Sequence, residues 1–431
     1  MSIIVEVNHH KETIIQLIEM RKLIFGFIFC FTILLMWINL SLYTDCFTPQ
    51  EKQDDILKQL HFIEAELKTN NLANRMQDYF PEGFVFANAL YGLSWCEMAG
   101  FDSTPSFTNK ALNEALFAYG ELNSNRAKNF FDEQLKPEYG IFYMGWKNYL
   151  LSKVLQIDTN FEQFTHYKSV FSAQCQAISM ALSQSSTPFL ESYKNQTWPA
   201  DMFAAMASLK NYDKLFGPTY ELEIAEWIKK VRTRLDPRTN LIPHRVESDN
   251  GRVIEGSRGS SISLIIRLLA EIDSIFAREQ FQLYKSIFVT TTFGLPSVRE
   301  YPTGQNGKGD IDSGPVICGI GFSGTIVSIG SFSMIGDFES AQRQYNTINA
   351  FGFATSFGKE KKYVFGLLPI ADAFIAWGRA TDLKNMNKSQ SHFKLWGVLF
   401  HLFTLLILTI LWLLYFSKVI ISKFRIYRSA S

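Results

Sequence analysis

The chain of 431 residues has almost no excess charge: 42 Lys and Arg stand against 41 Asp and Glu, a formal net charge of +1. So even a balance offers no basis for gripping a phosphate backbone, and nucleic acid is not an expected partner. Histidine is scarce, at seven. Neither H-E-x-x-H nor a zinc-type Cys/His spacing occurs, so no metal site is expected. Walker A and G-x-S-x-G patterns are missing too, which removes phosphate-loop and serine-hydrolase chemistry; no cofactor is expected. Cysteine is limited to Cys30, Cys46, Cys96, Cys175 and Cys318. The last four admit three pairings, or simply buried thiols.

What the chain does have is two long apolar runs, Leu23 to Tyr43 and Leu395 to Phe416. Each is long enough to cross a bilayer as a helix. The first is too long for a signal peptide and lacks a small-residue cleavage site, so it reads as a retained anchor. Lys11, Arg21 and Lys22 precede it, and Lys418, Lys423, Arg425 and Arg428 follow the second run. Lys384, Lys388 and Lys394 weaken that contrast without reversing it. The positive-inside rule then places both termini in the cytoplasm. The expected organisation is a cytoplasmic segment (1–22), a transmembrane helix (23–43), an extracytoplasmic domain (44–394), a second transmembrane helix (395–417) and a cytoplasmic basic tail (418–431). Two spans without internal charge make no transport pathway, so the bilayer is expected as an anchor.

Between the runs, amphipathic helical patterns alternate with apolar ones. The apolar segments open on polar loops marked by Gly or Pro: FPEG, GWKN, WPAD, EGSRGSS, DIDSGP and LPIAD. Six such units in about 350 residues leave about 58 residues each, room for two helices and a connection. This predicts an all-α, (α/α)6 toroid, with amphipathic helices outside and apolar helices forming the inner wall. Residues 235–255, with Asn250-Gly251 as the turn, predict a small β-hairpin insertion. Phe276 to Phe293 predicts a helix, and so does the apolar stretch that follows Ser313-Gly314-Pro315.

That last stretch carries Gly319-x-Gly321-x-x-Gly324. A dinucleotide fingerprint needs further βαβ units behind it, and the remaining sequence does not supply them. Small residues at a helix contact account for it better. The preceding loop holds Arg299, Glu300, Asp310 and Asp312. Two carboxylates at a cavity mouth can divide the work of general acid and general base; alternatively, Asp312 caps the helix and Asp310 is solvated. Asp201, in the first turn after Pro199, either complements the helix dipole or points into a pocket beside Trp198. The catalytic candidates are therefore Asp201, Asp310, Asp312 and Glu300. Substrate-binding candidates are the aromatics Tyr143, Trp146 and Trp198, with Arg258, Arg299 and Glu82. Aromatics at helical spacing equally suit a core, and Arg258 equally suits a salt bridge to Glu255.

The order Tyr143-Met-Gly-Trp-Lys-Asn-Tyr-Leu, Trp198-Pro-Ala-Asp201-Met-Phe-Ala-Ala-Met-Ala-Ser-Leu, Leu235-Asp-Pro-Arg-Thr-Asn and Val298-Arg-Glu300 resembles the linalool dehydratase/isomerase family over residues 140–350. That resemblance implies an α/α toroid distantly akin to the six-hairpin glycosidases. It also implies reactive cysteines near the start of one inner helix. Here that start holds Asp201, and residues 191–198 contain no Cys. The expected function is thus carboxylate-based cleavage of a C–O bond on a glycan or glycolipid. A lyase or isomerase acting on a terpenoid-type alcohol, and a non-catalytic binding or assembly protein, are the alternatives.

Overall fold

A computed structural model describes residues 2–43, 48–311, 313–381, 383 and 396–430. Two compact units emerge. One comprises residues 1–44, 292–295 and 393–431, and the other residues 45–291 and 296–392.

The first unit is built on two long helices. Helix α1 (Ser2–Ser41) contains the apolar stretch Ile18–Ser41, 24 residues long and long enough to cross a membrane.

The second unit is a closed ring of helix pairs. The first pair consists of α2 (Pro49–Lys68) and the short α3 (Leu72–Tyr79) outside, then α4 (Gly83–Ala99) inside. Helix α5 (Pro105–Leu122) and the single turn α6 (Asn125–Lys128) lead to the inner α7 (Gly140–Ile157). Next come α8 (Phe164–Ser183) with α9 (Pro199–Phe216), and α10 (Glu221–Arg232) with α11 (Gly259–Ile272). The last pairs are α12 (Ser274–Ile287) with α13 (Phe322–Ile335), and α14 (Phe338–Phe351) with α15 (Pro369–Ala380). Inner helices touch in the order α4, α7, α9, α11, α13, α15, and α15 packs back on α4. The expected toroid is the observed fold.

The reason is in the side chains. Helices such as α4 (GFVFANALYGLSWCEMA) and α7 are buried on nearly every face, whereas α10 and α12 bury one stripe. Small residues set the inner spacing. A Cβ on Gly378 of α15 would lie 3.3 Å from the backbone N of Gly330 on α13, and one on Gly145 of α7 would lie 3.2 Å from the backbone N of Ala205 on α9. Each outer helix runs antiparallel to the inner helix it precedes. All six inner helices therefore run the same way, and their starts gather at one end.

Among the described residues, four small hairpins decorate the loops. The expected one pairs β1 (Arg245–Val246) with β2 (Val253–Glu255). The segment Phe276 to Phe293 is not one helix: α12 stops at Ile287, and β3 (Val289–Thr292) turns into β4 (Leu295–Val298). β-branched residues at Val289 to Thr292, followed by Gly294 at φ +83°, favour that hairpin. Likewise, no helix begins at Pro315. Instead β5 (Val316–Ile317) pairs antiparallel with β6 (Ile320–Gly321), and Cys318 and Gly319 turn between them at positive φ. The G-x-G-x-x-G residues thus sit in an antiparallel hairpin leading into α13, not in a βαβ unit. The fourth hairpin is β7 (Thr355–Phe357) with β8 (Glu360–Lys362).

The second apolar helix of the first unit, α16 (Val398–Ala430), carries the stretch Val398–Val419. It packs on α1 through a polar cluster. His401 bonds Asn39 through Nδ1 (2.5 Å) and Tyr43 through Nε2 (2.6 Å), and the Asn39 amide donates to Thr404 Oγ1 (3.2 Å). Trp412 Nε1 donates to Thr32 Oγ1 at 3.2 Å. Cys30, Cys175 and Cys318 are free thiols, and Cys96 and Cys175 are buried. Cys46, the polar linker before the second run, and Asp312 lie outside the described residues.

Candidate functional site at the inner-helix starts

Three of the singled-out residues occupy the position just before an inner helix: Glu82 before α4, Trp198 before α9 and Arg258 before α11. Asp201 lies in the first turn of α9. The ring therefore brings these four to one end.

Glu82 and Asp201 are tied together by a dipeptide that sequence reasoning did not single out. The Ser192 hydroxyl donates to Asp201 Oδ2 at 2.5 Å, and the neighbouring Tyr193 hydroxyl donates to Glu82 Oε1. Tyr193 is held by a tight turn, with reciprocal backbone bonds to Gln196 and Asn195 at φ +60°. No spacing pattern marks Ser192 or Tyr193; only the turn-forming Lys194-Asn195 beside them hints at a fixed loop. The second carboxyl oxygen of Glu82 is buried with no hydrogen-bond partner among the described residues. Burial raises the pKa of Glu82, and the Tyr193 hydrogen bond only partly offsets it.

Around these carboxyls runs a chain of aromatic rings. Tyr193 packs edge-on to Trp198 (5.8 Å) and stacks on Phe131 (5.5 Å). Phe131 stacks on Phe142, which meets Phe86 edge-on at 5.2 Å. Phe86 then meets Phe374 at 5.3 Å and Trp146 at 5.1 Å. Phe86 and Phe374 lie on inner helices yet stay partly exposed, so they face the space the ring encloses. Tyr143 and Trp146 are closed off from solvent; the Tyr143 hydroxyl donates to the Leu122 carbonyl at 2.6 Å, and Trp146 also packs on Trp377.

A second group forms at the starts of α11 and α13. Glu300 is fully buried. It accepts from the Ser260 hydroxyl (2.8 Å) and the Ser260 backbone N–H (3.3 Å), and a Cβ on Gly321 would come 2.8 Å from its Oε2. Burial pushes its pKa up to about 7, against the opposing effects of Ser260 and Arg258. The Arg258 guanidinium bridges Glu255 (2.6 Å) and Asp310 and lies over the Tyr301 ring. Burial pushes the Asp310 pKa up, but hydrogen bonds from Ser313 and the Arg258 charge outweigh it and hold this carboxyl below its usual range. Arg299 does not pair with Glu300; its guanidinium donates to the Gln305 and Tyr301 carbonyls and shapes that loop. His244 bonds Ser261 through Nδ1 at 2.6 Å, and burial, reinforced by Arg258, pushes its pKa down to about 3. It is neutral at physiological pH.

A cavity of about 240 Å³ lies between the β1–β2 hairpin, the α11 start and the 301–305 loop, lined by Asp236, Arg238, Glu255, Arg258, Tyr301 and Gln305 among others. Glu82, Asp201 and Trp198 do not line it. Arg258 belongs to both this cavity and the Glu300 group. Among the described residues, no cluster of three or more His, Cys, Asp or Glu could hold a metal ion.

Fold and site together define an (α/α)6 toroid with carboxyls at the starts of its inner helices. No protein-family model matches the chain, and no curated protein matches it. Solved structures do resemble it. A GH76 α-mannanase from Bacteroides thetaiotaomicron shows 13% identity and a TM-score of 0.43, covering 70% of this chain and 86% of its own. An unsaturated glucuronyl hydrolase specific for heparin shows 9% identity and a TM-score of 0.49, covering 78% and 98%. A D-mannose isomerase shows 11% identity and a TM-score of 0.44, covering 70% and 87%. Likenesses of this degree concern the helical architecture and carry no reading of the chemistry.

Proposed function

We propose that the chain is a membrane-anchored enzyme that cleaves a C–O bond of a glycan or glycolipid by acid/base chemistry at the inner-helix starts. The observation that carries this reading is the Ser192–Tyr193 dipeptide, which hydrogen-bonds one carboxyl with each residue. Glu82, with its raised pKa, serves as the acid. It gives its proton to the leaving oxygen as the C–O bond breaks. Asp201 serves as the base, taking the proton from the water that adds to the carbon. Tyr193 and Trp198 offer ring faces against which a sugar can stack. Glu300, sealed beneath Gly321, positions the start of α11, and with it Arg258. Asp310 orients the same guanidinium.

Turnover of a panel of oligosaccharides and glycolipids by the detergent-solubilised full chain tests this. Glu82→Gln and Asp201→Asn are each expected to lower kcat by about 100-fold or more while the helical circular dichroism is kept. Full activity in either variant overturns that residue's role. A second reading, a lyase or isomerase for a terpenoid-type alcohol, is favoured by the apolar rings Phe86 and Phe374 facing the enclosed space, and by the resemblance noted above. Terpene alcohols in the same panel separate the two.

The apolar stretches of α1 and α16 would anchor the chain, with both termini cytoplasmic and the ring outside. A reporter fused after Ser431 is expected to stay in the cytoplasm; an exported reporter overturns this orientation.

A further inference from the structure

The segment joining α14 to α15 exposes large apolar side chains to a degree that solubility does not call for. Phe357 is 91% exposed, Leu367 76%, Phe365 65%, Leu368 46% and Val364 40%. This exposure is built into the backbone. Three residue pairs register β7 on β8, which sets Phe357 at the hairpin tip beside Gly358. Just beyond, Val364 and Phe365 adopt positive φ (46° and 58°), a region that β-branched and bulky residues otherwise avoid. Buried anchors hold them there. The Tyr363 backbone N–H donates to Asp372 Oδ1 at 3.1 Å, and Lys361 Nζ donates to Asp55 Oδ2 at 2.5 Å.

Two further lysines flank the apolar tip. Lys359 is exposed beside Gly358, and Lys362 is half-buried, its ammonium over the Phe62 ring. The segment precedes an inner helix, so it belongs to the end of the ring that holds the site. The loop before the neighbouring α13 adds Ile311 (62% exposed) and Ile317 (56%) at that same end. A rim of Phe, Leu and Ile edged by Lys fits one surface well: acyl chains accept the rings, and anionic headgroups accept the ammonium groups.

We propose that the 351–368 segment docks on an anionic bilayer, so that the site end of the ring works against a lipid surface. This deepens the glycan reading, because a substrate reaching that end would be displayed on a membrane. The docking itself does not depend on any activity.

The test uses the full chain in nanodiscs, with Cys30, Cys46 and Cys318 replaced by Ser and the buried Cys96 and Cys175 kept. An environment-sensitive fluorophore is placed at Phe357→Cys or Leu367→Cys. The control is Leu222→Cys, 87% exposed at the start of the outer helix α10 and hence at the other end of the ring. Spin-labelled lipids in phosphatidylglycerol-containing discs are expected to quench positions 357 and 367 severalfold more than 222. Lys359→Glu with Lys362→Glu is expected to reduce that quenching. Quenching at 357 and 367 no greater than at 222 overturns the proposal. So does shielding of these positions that grows with protein density, which would assign the rim to a second copy of the chain. Neither result bears on Glu82 or Asp201, so the docking and the chemistry stand or fall separately.

Discussion

Glu300 shows how one side chain can tie stability to pH. Its folded pKa of about 7 lies above the 4.5 of an ordinary glutamate, so the folded state holds its proton longer than the unfolded chain does. Its unfavourable contribution is absent below pH 4.5, grows as pH rises toward 7 and is complete above it. Glu300→Gln keeps an acceptor for Ser260 but does not titrate. The variant is therefore expected to match the parent near pH 4.5 and to exceed it by roughly 2–3 kcal/mol at pH 8, read as a Tm gap that opens with pH. A gap that closes with rising pH would contradict the assignment. Gly259 makes a steric counterpart: a Cβ there would sit 1.8 Å from the Arg299 carbonyl oxygen. Gly259→Ala is expected to cost about 3 kcal/mol or more in thermal unfolding, whereas Gly120→Ala, with open space around it, is expected to gain up to about 1 kcal/mol. At this scale the sequence was only partly readable. Asp201 and Glu82 stand out because Pro and Gly punctuate their loops. Tyr193 does not, since its value comes from a partner 111 residues away.

At the scale of the element, the α1–α16 pair is joined by a cluster of hydrogen bonds rather than by apolar packing alone. In the proposed bilayer setting, lipid tails would give two apolar helices little reason to associate, and Asn39, His401 and Thr404 would carry much of the preference. Replacing Asn39 and His401 together by Leu is expected to broaden the distance distribution between spin labels at the exposed positions Phe27 and Leu405; an unchanged distribution would locate the pairing elsewhere. Legibility at this scale followed periodicity. Long apolar and amphipathic helices declared themselves. The β5–β6 hairpin did not, because Val-Ile-Cys-Gly-Ile-Gly has no alternation to separate two-residue strands from a buried helix. What decides it is tertiary: Glu300 N–H donates to the Gly319 carbonyl at 3.1 Å, and Arg299 bridges to Ile320.

For the whole molecule, ring closure draws charges into a largely buried network, with Arg267 fully enclosed and Lys153 and Glu97 only slightly exposed. Near the inner-helix ends opposite the site, the fully buried Arg267 bonds Glu97 (2.8 Å) and Glu271 (2.7 Å), and Lys153 bonds Glu271 at 2.8 Å. The Tyr149 hydroxyl completes the group at 2.6 Å from Glu271. These residues come from α4, α7 and α11, so the network spans the ring. Arg267→Met would leave two carboxylates against one lysine, and is expected to cost about 3–5 kcal/mol, checked by denaturant unfolding in detergent. A loss under about 1 kcal/mol would mean that water already reaches the cluster. Six helix pairs could be counted from the sequence. Which inner helix touches which could not, because neutral small residues such as Gly330 and Gly378 set those crossings by shape.

The contact between α15 and α4 also has a meaning for biosynthesis. The last stave of the ring is synthesised almost 300 residues after the first, and the N-terminal apolar helix, ending at Ser41, precedes both. A ribosome that stops short of Pro369 would release a trough instead of a barrel, with the Phe86 flank of α4 wet. Such a fragment is expected to be cleaved by proteases faster than the full chain, because its last inner helix is the one that closes the ring on α4.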